Sequence, residues 1–385
     1  GAADRDARRE LPTEGIRLLR DSGFGTLRVP VDRGGFGASL PQTFSLLIDL
    51  AAAAPNLTQA LRVHFFSVEG FLAALGGPDA SAASAAEKNL SDVVDGVLFG
   101  NAISERGVGA AERYQTRLTR QDGTGDYLLN GTKYYSTGSL FADRIVVAAD
   151  LDGERFTATV PVTAAGVHQI DDWDGFGQRL TGSGTTIFDN VTVDPDDVAP
   201  RGYGTGGRTP DTSYLQLFHL AALAGIARRA ADDARDRVLA RDRTYTHAPA
   251  DVPREDPLVQ AVLGRVDAAA FTARATTLAV AEAVAVAFNG PDAQIDAAER
   301  AAARAQVSLI PLVLDAVTEI FETGGASLAS DTLNLDRHWR NARTLAVHNP
   351  AVYKQQALGR YALTGDGTTL PYAWSAGVRG VNHGG

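Results

Sequence analysis

Cysteine is absent from this chain of 385 residues, and so is methionine. Without thiols the protein can form no disulfide, no cysteine-ligated iron–sulfur cluster and no thiolate zinc site. Cysteine pairing therefore says nothing about the cellular compartment. If the protein carries out redox chemistry, we expect it to use a bound organic cofactor.

Basic residues are also scarce: 36 Lys and Arg stand against 46 Asp and Glu, a formal charge of -10. Because nucleic-acid binding requires a basic face, we expect no nucleic-acid partner. No window approaches the eighteen or more consecutive apolar residues of a membrane helix. The segment from Asp4 to Arg20 indicates a charged helix, without a secretory hydrophobic region. We expect a soluble, cytoplasmic protein that does not bind membranes.

The spacing of apolar residues changes twice along the chain. It is three or four up to residue 95, which favours helices, and two from residue 96 to about 200, which favours strands. Long segments rich in Ala and Leu follow a glycine-rich connector. The pattern predicts an α+β protein with an N-terminal helical domain (1–95), a central β domain (96–205), a C-terminal four-helix bundle (206–371) and a tail (372–385).

Individual residues refine this prediction. Asn130-Gly131 predicts a β-hairpin turn, because both residues tolerate positive φ. Pro311 is expected to kink the third bundle helix, and Pro350 to divide the fourth into two pieces. His348 should then lie in a bend between those pieces.

Three motifs resemble those of the acyl-CoA dehydrogenase superfamily. The stretch 101–109, NAISERGVG, resembles the family's flavin loop, with Ser104 at the position of the hydroxyl that binds the isoalloxazine edge. The stretch 130–138, NGTKYYSTG, resembles the strand beside the flavin ring, and Tyr135 and Thr137 match its aromatic residue and threonine. The stretch 177–193 resembles the strand pair that closes the β domain. The resemblance spans nearly the whole chain and implies a helical domain, a β-barrel-like domain and a four-helix bundle.

Departures from the dehydrogenase pattern indicate a different reaction. Ala110 and Ala111 stand where acyl-CoA enzymes usually carry the Ser-Asp that meets the substrate. A dehydrogenase also needs a carboxylate that abstracts a proton, commonly a late glutamate. The corresponding stretch, 336–350, ends in His348-Asn-Pro, and no glutamate follows it.

The stretch 336–344, DRHWRNART, together with KYYSTG and LFAD, resembles the dibenzothiophene monooxygenase branch of the superfamily. This resemblance implies a two-component monooxygenase that takes reduced FMN from a separate flavin reductase, with FAD as a possible alternative. In that branch the reduced flavin and O2 form a C4a-hydroperoxide, which oxygenates carbon, nitrogen or sulfur. The resemblance places four residues around the oxygen and the substrate, namely His64, Asn101, Ser136 and His348. Val68 and Leu345 depart from relatives that carry an aromatic residue and a second histidine there.

Each of these residues has a simpler interpretation. His348 is the kind of group that can exchange a proton near neutral pH, although a helix-terminal histidine can also cap carbonyls. His64 could equally be a core histidine bonded to the backbone. Because side chains alternate along a strand, Ser136 should face away from Tyr135 and Thr137 unless the strand twists or bulges.

Arg241 and Arg243 follow a bundle helix, in the region where relatives send an arginine to the flavin phosphate of a neighbouring subunit. A solvated basic helix end is the alternative. Arg337, Arg340 and Arg343 recur at a spacing of three, which favours an ion-pair stripe. Gly324-Gly325 resembles a close-packing pair of the family.

The resulting hypothesis is an FMN-dependent monooxygenase that acts on a small molecule. The resemblance also implies a homotetramer. Sulfoxidation, N-hydroxylation and C-hydroxylation all remain open, because pocket shape decides between them. The alternatives are an acyl-CoA dehydrogenase with a displaced base, and a scaffold of the same fold that binds no flavin. No metal centre is expected, because the seven histidines show no facial-triad spacing with a carboxylate.

Overall fold

The computed structural model describes residues 1–107, 114–200 and 209–366. Six helices precede the strands: α1 (Ala2–Arg8), α2 (Thr13–Asp21), α3 (Leu40–Ala53), α4 (Pro55–Ala60), α5 (Arg62–Leu75) and α6 (Ala80–Val94). Helix α3 begins at a capping box, in which Ser39 and Gln42 each bond the other's backbone N–H. Its apolar face then packs against the first half of α7.

Eight strands follow: β1 (Phe99–Ala102), β2 (Arg117–Arg120), β3 (Tyr127–Lys133), β4 (Arg144–Leu151), β5 (Glu154–Pro161), β6 (Val167–Ile170), β7 (Thr185–Val193) and β8 (Val198–Pro200). They form one sheet in the order β6-β7-β3-β2-β4-β5-β8, with β1 parallel to β4. The sheet has its own apolar core, separate from that of the helices.

Five helices complete the described chain: α7 (Asp211–Leu239), α8 (Pro257–Ala287), α9 (Asp292–Glu319), α10 (Arg337–Ala346) and α11 (Ala351–Thr364). Helix α7 is central, and nearly every residue from Ser213 to Ala227 is buried. A Cβ on Gly225 would lie 2.3 Å from that of Ala51, so only glycine allows α7 and α3 to approach this closely. Helices α8 and α9 are long and apolar enough to span a membrane by length and composition alone. Both pack along the bundle, which is typical of the core helices of a soluble protein.

The arrangement of helices, sheet and helices confirms the predicted α+β fold. Pro350 separates α10 from α11, and His348 lies in the bend between them, as predicted. Helix α9 continues through Pro311. The end of the β domain and the tail after residue 371 lie outside the described residues.

The hairpin prediction at Asn130-Gly131 is wrong. Both residues lie inside β3, where the register with β7 shifts at a bulge. Gly131 has φ 153°, and a Cβ there would lie 2.6 Å from the Cα of Thr116. Positive φ thus serves close packing inside the sheet instead of a turn.

Asp233 on α7 joins the bundle to α10. Its carboxylate accepts hydrogen bonds from Arg229, Arg337 and the Nε2 of His338, the last at 2.8 Å. Burial opposes ionisation, but these donors outweigh it and hold the pKa of Asp233 far below its ordinary value. The expected ion-pair stripe is present in part: Arg337 pairs with Asp233, and Arg340 pairs with Asp6 and Asp336. Arg343 forms no ion pair with any described residue.

Candidate active site

A chamber of about 580 Å³ lies where the β domain meets α4, α5, α7 and the bend between α10 and α11. This volume is typical of sites that enclose a small ligand. Among the predicted site residues, the chamber wall contains Asn101, Ser104, Tyr135, Thr137 and His348. His64, Ser136, Arg241 and Arg243 are not part of the wall.

The wall formed by the β domain depends on an unusual conformation at Tyr135. Tyr135 has φ 58°, a left-handed conformation that is rare for an aromatic residue. The turn it makes directs both Tyr135 and Thr137 to the chamber, while Ser136 is fully buried and its Oγ has no hydrogen-bond partner among the described residues. The predicted alternation therefore places Ser136 behind the wall. The half-exposed ring of Tyr135 meets Trp173 edge to face, at 5.8 Å between centroids.

A row of hydroxyl groups continues this wall. Thr137 Oγ1 lies 2.8 Å from Ser183 Oγ, which lies 2.7 Å from Thr181 Oγ1. Thr181 donates to the carbonyl of Gln178 at 3.0 Å, so the row is anchored to backbone. All four residues line the chamber.

An internal ion pair holds the neighbouring loop. Lys133 at the end of β3 is fully buried, and its Nζ lies 2.6 Å from Glu105 and 3.1 Å from the carbonyl of Ile103. Glu105 also accepts the backbone N–H groups of Gln115 and Thr116. Burial opposes ionisation, but these hydrogen bonds hold the pKa of Glu105 below its ordinary value. Ser104 is thereby fixed against Tyr134, whose N–H donates to its carbonyl at 2.9 Å.

The helical wall comes from one face of α4 and α5. Gln59, Arg62, Val63, Phe66 and Ser67 line the chamber at intervals of three and four. His64 belongs to the opposite face and does not reach the chamber. Its Nε2–H donates to the carbonyl of Gly25 at 3.0 Å, and its Nδ1 accepts the N–H of Phe99 at 3.3 Å. Burial lowers the pKa of His64 to about 4, so the ring is a neutral bridge between backbone segments.

The floor of the chamber carries His348 and Asn349. The imidazole of His348 is accessible from the chamber and lies 4.3 Å, centroid to centroid, from that of the buried His219. The surrounding protein, together with the cations Arg62 and Lys354, lowers the pKa of His348. His348 is therefore neutral at pH 7 and can accept a hydrogen bond or a proton. Among the described lining residues, Asp174 is the one carboxylate.

Arg241 and Arg243 lie at the opposite end of α7 from the chamber. Arg241 donates to the carbonyl of Thr323 at 2.9 Å, and a Cβ on Gly324 would lie 2.7 Å from its guanidinium. Gln216, which lines the chamber, is 25 residues before Arg241, or about 37 Å along a helix. These arginines cannot reach the chamber of their own chain.

Sequence reasoning missed several residues of the wall. Gln59, Arg62 and Phe66 could have been found, because polar Gln59 and Arg62 recur on one face of an otherwise apolar helical segment. Leu345 lines the chamber, whereas Val68 packs into a separate apolar cluster behind it. The departures at Ala110 and Ala111 lie outside the described residues.

Comparison with known proteins agrees with this architecture. Residues 217–352 match the family model "Acyl-CoA dehydrogenase, C-terminal domain". A dibenzothiophene monooxygenase from Mycolicibacterium goodii is 29% identical, over 94% of this chain and 89% of its own length. The amino sugar nitrososynthase DnmZ from Streptomyces peucetius is 31% identical, over 74% of this chain and 70% of its own length. The chain belongs to the dibenzothiophene monooxygenase-like branch of the acyl-CoA dehydrogenase superfamily. Among solved structures, FMN-bound TdsC from Paenibacillus sp. A11-2 has a TM-score of 0.84 at 28% identity, over 95% of this chain and 96% of that one.

The buried ion pair between Lys133 and Glu105 predicts that the stability of the protein depends on pH. Because the pKa of Glu105 is depressed by folding, its charge stabilises the protein above the unfolded pKa, and that stability is lost as the pH falls. We expect Glu105→Gln to lower the free energy of unfolding by about 3 kcal/mol at pH 7, since it leaves Lys133 buried without its counter-charge. The difference from wild type should shrink below about pH 4.

Urea denaturation at pH 7 and at about pH 3 measures this difference, because the pKa of Glu105 in the folded chain lies below its ordinary value. Glu10→Gln is the matched control, because Glu10 forms an exposed pair with Arg8 and should change stability by less than about 1 kcal/mol. A loss for Glu105→Gln that is equal at both pH values would show that the charge of Glu105 is not what stabilises the loop.

Proposed function

We propose that the chamber holds reduced FMN against the wall of Tyr135, Thr137 and Ser183, and that a small organic substrate binds between the flavin and His348. The protein is a flavin-dependent monooxygenase that uses reduced FMN. A separate flavin reductase must supply the reduced cofactor. Because such a supply requires a reducing compartment, we place the protein in the cytoplasm.

The polar groups of the chamber fit a flavin. Three buried amide oxygens that line it, those of Gln59, Asn101 and Gln178, have no hydrogen-bond partner among the described residues. A buried acceptor without a donor is costly, so these oxygens favour a ligand that carries N–H groups. The hydroxyl of Ser104 can donate to its carbonyl oxygens. Because Thr181 donates to backbone, the hydroxyls of Thr137 and Ser183 donate along the row, and their oxygens can accept from a ligand N–H. The edge of an isoalloxazine ring offers both kinds of group, and FAD shares that ring.

Bound reduced FMN supplies two electrons, which reduce one atom of O2 to water while the other atom is transferred to the substrate. The chain contributes a shielded site, since Phe66, Ile103, Val146, Leu215 and Leu345 form its apolar surface. His348 contributes a neutral imidazole that can take up a proton from a group facing it. The same apolar surface suits a substrate with an apolar body, whether the oxygen goes to sulfur, nitrogen or carbon.

The alternatives have less support. An acyl-CoA dehydrogenase needs a carboxylate base, and Asp174 on the β-domain side is the one carboxylate among the described lining residues. A scaffold without flavin would leave the three amide oxygens unexplained. Reduction of bound FAD by an acyl-CoA without oxygen would support the first alternative, and failure to bind any flavin would support the second.

Reconstitution with a flavin reductase, NADH, FMN and O2 tests the proposed reaction. Sulfide, amine and phenol panels should reveal one class whose oxygenated product rises while hydrogen peroxide falls. We expect His348→Ala to lower product formation by 100-fold or more, since a positioned acid or base contributes about that much. His247→Ala is the control, because His247 lies outside the chamber wall. Equal peroxide yields with every panel member, or full activity of His348→Ala, would contradict the proposal.

The oligomer is part of the proposal. Helix α8 exposes a mainly apolar stripe of Phe271, Ala275, Ala279 and Val286, with the exposed Glu282 within it, and the side chain of Phe271 is 73% exposed. An apolar stripe of this kind favours packing against another copy of the chain. We propose a homotetramer in which Arg241 and Arg243 of one copy reach the flavin phosphate in the chamber of another.

This arrangement predicts that a variant of Arg243 binds FMN less tightly and riboflavin equally well. Arg243→Glu should weaken FMN binding about tenfold or more but leave riboflavin binding unchanged, because only FMN carries the phosphate. Fluorescence titration with both flavins measures this. Arg254→Glu is the control, an exposed arginine near the start of α8. Equal weakening for both flavins, or none for FMN, would contradict the role of Arg243.

A further inference from the structure

A cluster of polar side chains is buried directly beneath the floor of the chamber. Gln216, His219, Glu299, Gln306 and Lys354 are each 5% exposed or less. They come from α7, α9 and α11. Burying ionisable groups in a helical bundle costs free energy that apolar side chains would not, so such a cluster suggests a role beyond stability.

The amide oxygen of Gln216 is the centre of this cluster. It lies 2.7 Å from Gln306 Nε2, 3.0 Å from Asn349 Nδ2 and 3.4 Å from both Lys354 Nζ and His219 Nδ1. Lys354 also donates to the amide oxygen of Gln306. Because an ammonium group can only donate, it fixes which way both amides point. Lys354 thus orients groups that extend to the chamber floor.

These contacts also decide the tautomer of His219. Its Nε2 lies 3.3 Å from the guanidinium of Arg62, which can only donate, so Nε2 accepts. Its Nδ1 therefore carries the hydrogen and donates to Gln216. Burial, the neighbouring imidazole of His348 and the cations Arg62 and Lys354 hold the pKa of His219 well below its ordinary value. A neutral, fixed ring thus packs against the ring of His348.

The charges around His348 favour its neutral form. Arg62 on α5 and Lys354 on α11 are the cations, and His219 on α7 is neutral. The acids are Glu299 and Asp211 behind Lys354, and Asp174 across the chamber. Burial raises the pKa of Glu299 to about 8 and lowers the pKa of Lys354 to about 7. In acid, where His348 would take up its proton, Lys354 is charged and Glu299 is not, so the net local charge there is positive.

We propose that Lys354 is a positioning residue: its charge keeps the imidazole of His348 uncharged, and its hydrogen bonds, through Gln216 and His219, fix that imidazole at the chamber floor. The inference rests on the proposed function in one respect, namely that His348 takes part in the reaction. A purely structural cluster, which pins α11 to α7 and α9, is the competing explanation. It predicts that variants lose stability without changing the titration of His348.

Titration of the histidine side chains by NMR in the full-length chain separates these explanations. Lys354→Met keeps an unbranched side chain, one atom shorter, and removes its charge, so the pKa of His348 should rise by about 1 unit. Lys354→Arg keeps the charge and should leave the pKa of His348 near the wild-type value. His348→Asn assigns the resonance. If Lys354→Met does not fold, Lys354→Gln retains a donor to Gln216 and should give the same rise.

A kinetic measurement gives the second readout. The acid limb of the pH profile of product formation should move to higher pH in Lys354→Met by the same amount as the pKa of His348, and Lys354→Arg should restore it. Asp233→Asn is the control, because it removes a partly buried carboxylate between α7 and α10 and should lower thermal stability alone. An unchanged titration of His348 in folded Lys354→Met or Lys354→Gln would overturn the proposal. A wild-type chain that forms no product would contradict the proposed function but not this titration.

Discussion

The buried ion pair between Lys133 and Glu105 is the constraint on which the chamber depends. It joins the end of β3 to the loop after β1, and through Glu105 it also holds the backbone that leads into β2. Ser104 is placed on one side of this pair and Tyr135 on the other, so two motifs 30 residues apart become one wall. An ion pair without access to water requires good geometry, which makes it a rigid support for the flavin that we propose.

Much of this wall could be predicted because its residues lie in continuous motifs. Asn101, Ser104, Tyr135 and Thr137 are found in two short stretches whose resemblance to a flavin loop and strand fixes their positions together. The bend at His348 follows from Pro350, since the residue before proline avoids the helical conformation. Local rules of this kind act within a few residues and are visible in the sequence.

The remaining residues depend on tertiary contacts. His64 and Arg62 are two positions apart, yet the register of α5 directs Arg62 to the chamber and His64 to backbone on the other side. His219 meets His348 only because α7 and the α10–α11 bend pack together. Gly131 shows the same limit for strands, because its positive φ serves a contact with Thr116 that no local pattern reveals.

The chamber is thus asymmetric, with hydroxyls and amides on the β side and a neutral histidine above buried charges on the helical side. This asymmetry suits a flavin on one wall and a substrate before the other. A crystal structure of the protein with FMN tests that account most directly. We expect the isoalloxazine edge within hydrogen-bond distance of Thr137 or Ser183 and of the amides of Asn101 or Gln178, with space left in front of His348. A flavin bound outside the chamber, or one that fills the space before His348, would contradict it.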